Sequence, residues 1–162
     1  MSIRRCSPED EDRILYIINQ AAKAYRGVIP ADRYKEPYMS REELHREIEK
    51  MIFFGYEQDG ELVGIAGFQP MDKETTLIRH AYVLPSHQRK GIGGRLLNHL
   101  KKLSSAERLL VGTWEDAWWA IRFYQKNGFQ LLPNKDDLLR GYWDIPERQI
   151  RTSVVLGMGK DF

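Results

Sequence analysis

The sequence predicts an α/β fold of mixed α+β character, with a central twisted mixed sheet of about six or seven strands flanked by about four helices. Three observations carry this. Apolar residues recur at helical spacing near residues 14–22 and 91–103. The period shortens to that of strands from residue 52. Two strand–helix–strand units follow residue 75.

Residues 3–6 read as a short strand. Ser7, Pro8 and Asp10 then supply an N-cap, a first-turn proline and an acidic third position, which start a helix. Its buried stripe is Ile14, Leu15, Ile17, Ile18, Ala21 and Ala22. Residues 24–39 hold Tyr25, Gly27, Pro30, Tyr34, Pro37 and Tyr38, a composition that breaks regular structure while offering large aromatic surfaces. Ser40 and Glu43 form a capping box for a short amphipathic helix to about residue 50, with Leu44 and Ile48 on its apolar side.

Two strand-like runs, residues 52–58 and 61–68, flank Asp59-Gly60, the favoured two-residue hairpin turn, so they pair antiparallel. Residues 75–83 extend the meander until Pro85 stops it. A helix over 91–103 presents Ile92, Leu96, Leu97, Leu100 and Leu103 on one face, and a short apolar strand, 108–112, follows. A second helix over about 116–127 ends at the C-cap residue Gly128, before strand 129–132. Val154, Val155 and Leu156 mark a final buried strand over 152–158. With no repeat, linker or low-complexity tract, residues 1–162 are expected to form a single domain.

Composition narrows the function. The apolar share of 42% and the charged share of 30% are those of ordinary globular proteins. With 25 basic against 23 acidic residues, the net charge of +2 gives no support to nucleic-acid or membrane binding by bulk charge. Cys6 is the one cysteine, which rules out an internal disulfide framework. The start, Met1-Ser2-Ile3-Arg4-Arg5, lacks the apolar run of a signal peptide. No stretch approaches the roughly 20 apolar residues of a membrane span. A cytoplasmic protein without metal is expected.

The chemistry-bearing segment lies between the strand at 75–83 and the helix after it: Tyr82-Val83-Leu84-Pro85-Ser86-His87-Gln88-Arg89-Lys90-Gly91-Ile92-Gly93-Gly94-Arg95. Unpaired amides at a helix N-terminus point in one direction and carry positive partial charge, and glycines let a phosphate come close to them. Arg89, Lys90 and Arg95 add full charges suited to a diphosphate or a 3′-phosphate. A dinucleotide fingerprint needs glycine or alanine where Leu96 stands, and the Gly-Lys-Ser/Thr of a P-loop is missing.

These residues resemble the GNAT superfamily of acetyl-CoA-dependent N-acetyltransferases. The cofactor motif Gln/Arg-x-x-Gly-x-Gly/Ala is matched by Gln88-Arg89-Lys90-Gly91-Ile92-Gly93, preceded by Val83-Leu84-Pro85. A second family-like segment follows at Phe123-Tyr124-Gln125-Lys126-Asn127-Gly128-Phe129. The resemblance is strong over roughly residues 62–132, and the first 50 residues share only the order of elements. It implies a GNAT-like fold in which the strands at 75–83 and 108–112 splay apart to admit pantetheine. Backbone groups around Tyr82, Val83 and Leu84 would pair with the pantetheine amides, while Gln88, Arg89, Lys90, Gly91, Ile92, Gly93, Gly94 and Arg95 take the pyrophosphate. The implied activity is transfer of acetyl from acetyl-CoA to a primary amine, by direct attack in a ternary complex. The alternative is a non-catalytic acyl-CoA-binding sensor or interaction module of the same fold. Many members carry asparagine where this chain has Ala117, so that contact to the cofactor is lost, with Trp114 or Trp118 available to fill the space.

The reaction poses two proton problems. A lysine-like amine of pKa about 10.4 lies about 3.4 units above pH 7, so presenting it neutral costs roughly 4.6 kcal/mol unless a base or desolvation helps. The leaving thiolate departs more easily beside a hydroxyl donor. The resemblance assigns that general acid, also in contact with the cofactor, to Tyr124. The candidate bases are Glu115, with Asp116 beside it, and His80. Regular alternation puts His80 on the strand face opposite Val83, unless a bulge reverses it. The acceptor would meet Tyr25 and Tyr34 of the aromatic loop, Arg79, and Trp143 and Arg148 of the tail, the arginines suiting a carboxylate or phosphate. The expected partner is a small-molecule or peptide amine, and a homodimer is compatible with the reading.

Overall fold

The computed structural model describes residues 2–159, so residue 1 and residues 160–162 of the expected domain span lie outside the described part. In chain order the elements are β1 (Ser2–Arg5), α1 (Glu11–Ala21), α2 (Arg41–Lys50), β2 (Ile52–Gln58), β3 (Glu61–Pro70), β4 (Thr75–Val83) and α3 (Ile92–Leu103). These are followed by β5 (Arg108–Trp114), α4 (Trp118–Lys126), β6 (Gln130–Leu131), α5 (Lys135–Tyr142), α6 (Glu147–Arg151) and β7 (Ser153–Gly159). Among the described residues the mixed sheet has seven strands in the order β1-β2-β3-β4-β5-β7-β6. The described residues divide into two compact units, one running to Gln69 and resuming over Ile78–Ser104, the other comprising Pro70–Leu77 and residues 105–159.

In the first unit β1 and β3 flank β2, both antiparallel to it, and the hairpin closes at Gln58↔Glu61 around the expected Asp59-Gly60 turn. Residues 62–68 of β3 are buried without a break, so both faces of this strand are covered. Helix α1 buries Ile14, Ile17, Ile18 and Ala21. It is preceded by a 3₁₀ turn, Pro8–Asp10, which the Asp10 carboxylate caps by accepting from the Ser7 amide at 2.7 Å. The second helix is also capped, with the Glu43 amide donating to Ser40 Oγ at 3.2 Å and the Ser40 hydroxyl to the Glu43 carboxylate at 3.2 Å, and Leu44 beyond it is fully buried. Between the two helices, Asn19 exchanges two side-chain hydrogen bonds with the Met39 backbone, at 2.8 and 3.0 Å, and so pins the end of the aromatic loop.

In the second unit β5 pairs antiparallel with β7 along its whole length, from Arg108↔Gly159 to Trp114↔Ser153, two residues beyond the expected end of the strand. Six buried residues, Leu77, Leu110, Leu138, Leu139, Ile150 and Val155, form its core cluster, with Trp143 and Tyr142 packed against it. Six α-helices are present among the described residues where about four were expected. The additions, α5 and α6, have only eight and five residues. The apolar residues of α5, Leu138 and Leu139, are adjacent rather than spaced at three and four, so periodicity could not reveal the helix. Leu103, read as part of the apolar face of α3, is 47% exposed, because the last turn of the helix runs out past the core.

Candidate functional site

One candidate cluster, in the first unit, is the passage from the end of β4 into α3. At the end of β4 the Leu84 amide donates to the Val63 carbonyl of β3 at 2.9 Å, and Gln88 Nε2 donates to the Val83 carbonyl at 3.1 Å. A 3₁₀ turn, Pro85–His87, follows, and the exposed pair Arg89 and Lys90 leads to Gly91. Gly91 caps α3 with φ +79°, a left-handed conformation that side-chain-bearing residues rarely adopt, and no atom lies within 4 Å of where its Cβ would be. Arg89 also has positive φ, at 65°, so the loop turns twice through that region within three residues. The Arg95 amide donates to the Gly91 carbonyl at 3.1 Å, so the amides of Ile92, Gly93 and Gly94 precede the first full turn of helix bonds. A Cβ on Gly64 of β3 would lie 3.0 Å from Ile92, 3.2 Å from Leu96 and 3.3 Å from Val83. A bare glycine there lets the start of α3 seat tightly against the sheet.

Arg95 does not point forward to this loop. Its Nη1 donates to the Tyr56 hydroxyl at 2.8 Å, in a shallow cavity lined also by Ser2, Asn98, His99 and Lys102.

A second cluster lies earlier on β4, within the same unit. His80 has φ +53°, so the regular alternation of the strand breaks at this residue. The consequence is visible in its contacts. His80 Nε2 lies 2.9 Å and Arg79 Nη2 3.1 Å from the same oxygen, Oε1 of Glu47 on α2. Neighbouring residues of a regular strand point to opposite faces and would not share one atom. The parity expected for a regular strand therefore fails at His80, and a break of the kind a bulge produces is present. Arg79 also donates to Gln69 at 3.4 Å, and the His80 ring stacks on Phe53 at 6.1 Å between centroids.

Burial holds the His80 imidazolium below the ordinary histidine range, against the opposing pull of its Glu47 hydrogen bond. For Glu47, burial alone would raise the carboxyl, but the His80 hydrogen bond and the Arg79 charge outweigh it and keep the group below its usual range. Glu47 was not singled out in the sequence, where it reads as one of several acids on a solvated helix face.

Next to this cluster in sequence stands Tyr82, whose hydroxyl lies 3.3 Å from that of buried Tyr25. Tyr25 packs on Tyr38 at 5.2 Å, and Tyr38 on Tyr34 at 6.2 Å, so the loop offers a continuous aromatic surface. In the same loop two guanidinium nitrogens of Arg33, Nε and Nη2, are buried without a hydrogen-bond partner. That arrangement costs free energy until an acceptor oxygen meets them.

The second unit holds the other residues expected in the site. Tyr124 on α4 is buried between Phe123 and Phe129, with ring centroids 5.2 and 5.7 Å away, and burial pushes its phenol above the ordinary tyrosine range. Ala117, the residue that stands where many family members carry asparagine, is fully buried and caps α4, accepting from the Ala120 and Ile121 amides at 3.0 and 3.2 Å. Trp118 turns outward and is 62% exposed, whereas Trp114 is buried. The Glu115 and Asp116 side chains are exposed, and the Glu115 amide donates to Thr152 at 2.8 Å. Trp143 packs over Gly112, 3.4 Å from where a Cβ would stand, and belongs to the core shell rather than to a free rim. Arg148 is exposed on α6. Among the described residues no group of three or more His, Cys, Asp or Glu gathers as metal ligands, and no helix is long and apolar enough to cross a membrane.

A model of the acetyltransferase (GNAT) domain family matches residues 49–131. Solved structures share the fold. The PaiA N-acetyltransferase from Thermoplasma acidophilum, in complex with coenzyme A, superposes with a TM-score of 0.75 at 20% identity, over 98% of both chains. Ribosomal-protein-alanine N-acetyltransferase from Brucella melitensis gives 0.71 at 18% identity, over 99% of this chain and 100% of the other. A GNAT family acetyltransferase from Elizabethkingia anophelis with acetyl-CoA bound gives 0.66 at 23% identity, over 98% and 97%.

Proposed function

Since the chain belongs to the GNAT acetyltransferase family and is an acyltransferase, we propose that it moves the acetyl group of acetyl-CoA directly to a primary amine within a ternary complex. One observation carries this reading: the Gly91-capped start of α3, with open space over the glycine and Arg89 and Lys90 exposed just before it. Amides and cations gathered there suit the pyrophosphate of coenzyme A, and the end of β4 around Tyr82, Val83 and Leu84 suits its pantetheine. Because the Leu84 amide is already spent on Val63, pairing falls to the remaining backbone groups of that stretch. Arg95, drawn toward Tyr56, takes a lesser part than Arg89 and Lys90.

The acceptor ammonium first loses a proton to a base, for which His80 is better built than exposed Glu115. Held below the ordinary histidine range, His80 is neutral at pH 7 and ready to accept. The amine lone pair then attacks the thioester carbonyl carbon. A C–N bond forms, the C–S bond breaks, and the sulfur leaves with the electron pair. The nitrogen gives its second proton to water, and the thiolate takes a proton from water to leave as the free thiol. Tyr124 keeps its hydroxyl proton throughout neutral pH. Full transfer from so weak an acid to a thiolate of ordinary pKa about 8.5 is uphill, so its role is to donate a hydrogen bond that steadies the departing sulfur.

For the acceptor, Arg79 is committed to Glu47, which leaves Tyr25, Tyr34 and the unsatisfied Arg33 to make contact. An amine that also carries a carboxylate or carbonyl oxygen would satisfy Arg33. We place all of this in one N-acetyltransferase domain, working in the cytoplasm.

The test is release of free thiol from acetyl-CoA against amino acids, polyamines, aminoglycosides and peptide N-termini. Thiol release with an acidic or peptide amine is expected. Absence of release with every amine, together with absence of calorimetric binding of coenzyme A at millimolar concentration, would reject the proposal.

A further inference from the structure

Glu47 is remote in sequence from the glycine-led loop and from the Tyr124 segment, yet it holds the side chains of His80 and Arg79 at once. Helix α2 starts at the Ser40 cap and is anchored by fully buried Leu44, three residues before Glu47. The Glu47 carbonyl accepts from the Met51 amide at 3.2 Å, where the chain leaves the helix for β2. Met51 and the Arg79 carbonyl both press on Gly67 of β3, 2.7 and 2.9 Å from where a Cβ would stand. This close packing brings α2 and the irregular stretch of β4 together around the Glu47 carboxylate.

We propose that Glu47 is a positioning residue of the reaction, whose Oε1 fixes His80 in the tautomer protonated at Nε2 and so leaves Nδ1 to take the proton of the acceptor. The proposal rests on the reading of His80 as the base. An ionised carboxylate has no proton to donate, so the imidazole nitrogen 2.9 Å from it must present its N–H. A neutral ring with Nε2 protonated has its lone pair on Nδ1. When Nδ1 accepts the ammonium proton, one N–H bond breaks and another forms. The imidazolium then keeps its Nε2–H bond to Glu47 as a charge-assisted pair until Nδ1 returns its proton to solvent.

The surroundings limit how tightly that pair binds. Arg79 shares the same carboxylate oxygen, Lys50 lies 3.9 Å from the other, Glu43 adds a weaker negative field, and Phe53 closes one ring face. Some 16% of the His80 side chain stays exposed.

The test uses the full-length protein and an acceptor found active in the thiol-release assay. Glu47→Gln should lower kcat/KM about ten- to a hundredfold, less than the roughly hundred- to ten-thousandfold of a full general acid–base contribution because His80 itself remains, with KM for acetyl-CoA within about twofold. Because the carboxylate raises the His80 pKa, its loss should also move the acid limb of the pH profile to lower pH. Imidazole 15N shifts should show Nε2 protonated in the wild type and a mixture of tautomers in the variant. His80→Gln separates the two readings. If that variant keeps its rate and its acid limb, His80 is not the base. If it loses both while Glu47→Gln leaves rate, limb and tautomer unchanged, only the role of Glu47 falls. Should Glu47→Gln fail to fold, the wild-type 15N spectrum decides alone, since an Nδ1-protonated His80 overturns the proposal.

Discussion

Tyr25 and Tyr82 meet through their hydroxyls, 3.3 Å apart across 57 positions of sequence, and this contact ties the aromatic loop to the end of β4. A neutral hydrogen bond of this kind contributes about 1 kcal/mol. Tyr25→Phe and Tyr82→Phe are each expected to lower stability by about that amount, about 2–4 °C in Tm. The double variant should cost less than the sum, because either change removes the same bond. Acceptor KM should rise more than acetyl-CoA KM, and equal rises in both would place the loop away from the acceptor.

Gly91→Ala probes the cap of α3 through the backbone alone, because the added methyl meets nothing within 4 Å. Left-handed backbone costs a residue with Cβ about 1–2 kcal/mol. The expected result is that loss in denaturant unfolding, together with weaker coenzyme A binding by calorimetry.

Tyr124→Phe keeps the aromatic packing and removes the hydroxyl. Losing a hydrogen bond to a charged atom, worth about 1.5–3 kcal/mol, is expected to lower turnover about ten- to a hundredfold while the Kd for coenzyme A stays within about twofold. A large loss of affinity with turnover intact would refute the proposed role.

His80 makes stability depend on pH in a definite direction. Its folded pKa is lowered, so between that value and the ordinary 6.5 the unfolded chain binds more protons, and stability rises as pH rises through this window. Exposed His45, raised by Glu11, pulls the opposite way, its contribution being present at low pH and lost as pH rises. The difference in urea midpoint between wild type and His80→Gln isolates the first effect. The wild type should lose ground against the variant from about pH 7 to about pH 5.

Trp143→Ala tests a residue that packs on the core rather than facing a free rim. With its ring over Gly112 and against the Leu110–Leu139 cluster, its removal should cost about 2 kcal/mol or more and leave acceptor KM nearly unchanged.

The local parts of this molecule were readable from residues close together in the chain. Ser7–Asp10, Ser40–Glu43 and Asp59-Gly60 act over two to four positions; the first cap and the turn form as expected, and Ser40 caps its helix through its side chain. Gln88 to Gly93 likewise marked the loop before α3, because a left-handed glycine followed by a helical stripe is a short-range pattern. Helix α5 escaped for the same reason in reverse, its two buried leucines being too close together to show a period.

By itself, then, the sequence determined the fold class, the family and the glycine-led start of α3, since caps, turns and periodicity are set by interactions between near neighbours. Only the tertiary structure decided that His80 turns to the side of Arg79, that Glu47 reaches it across 33 positions, that Trp143 joins the core and that Trp118 leaves it. No residue type announces these outcomes. They follow from how a helix seats on a sheet and where a strand breaks its alternation, and both are settled by packing between distant segments.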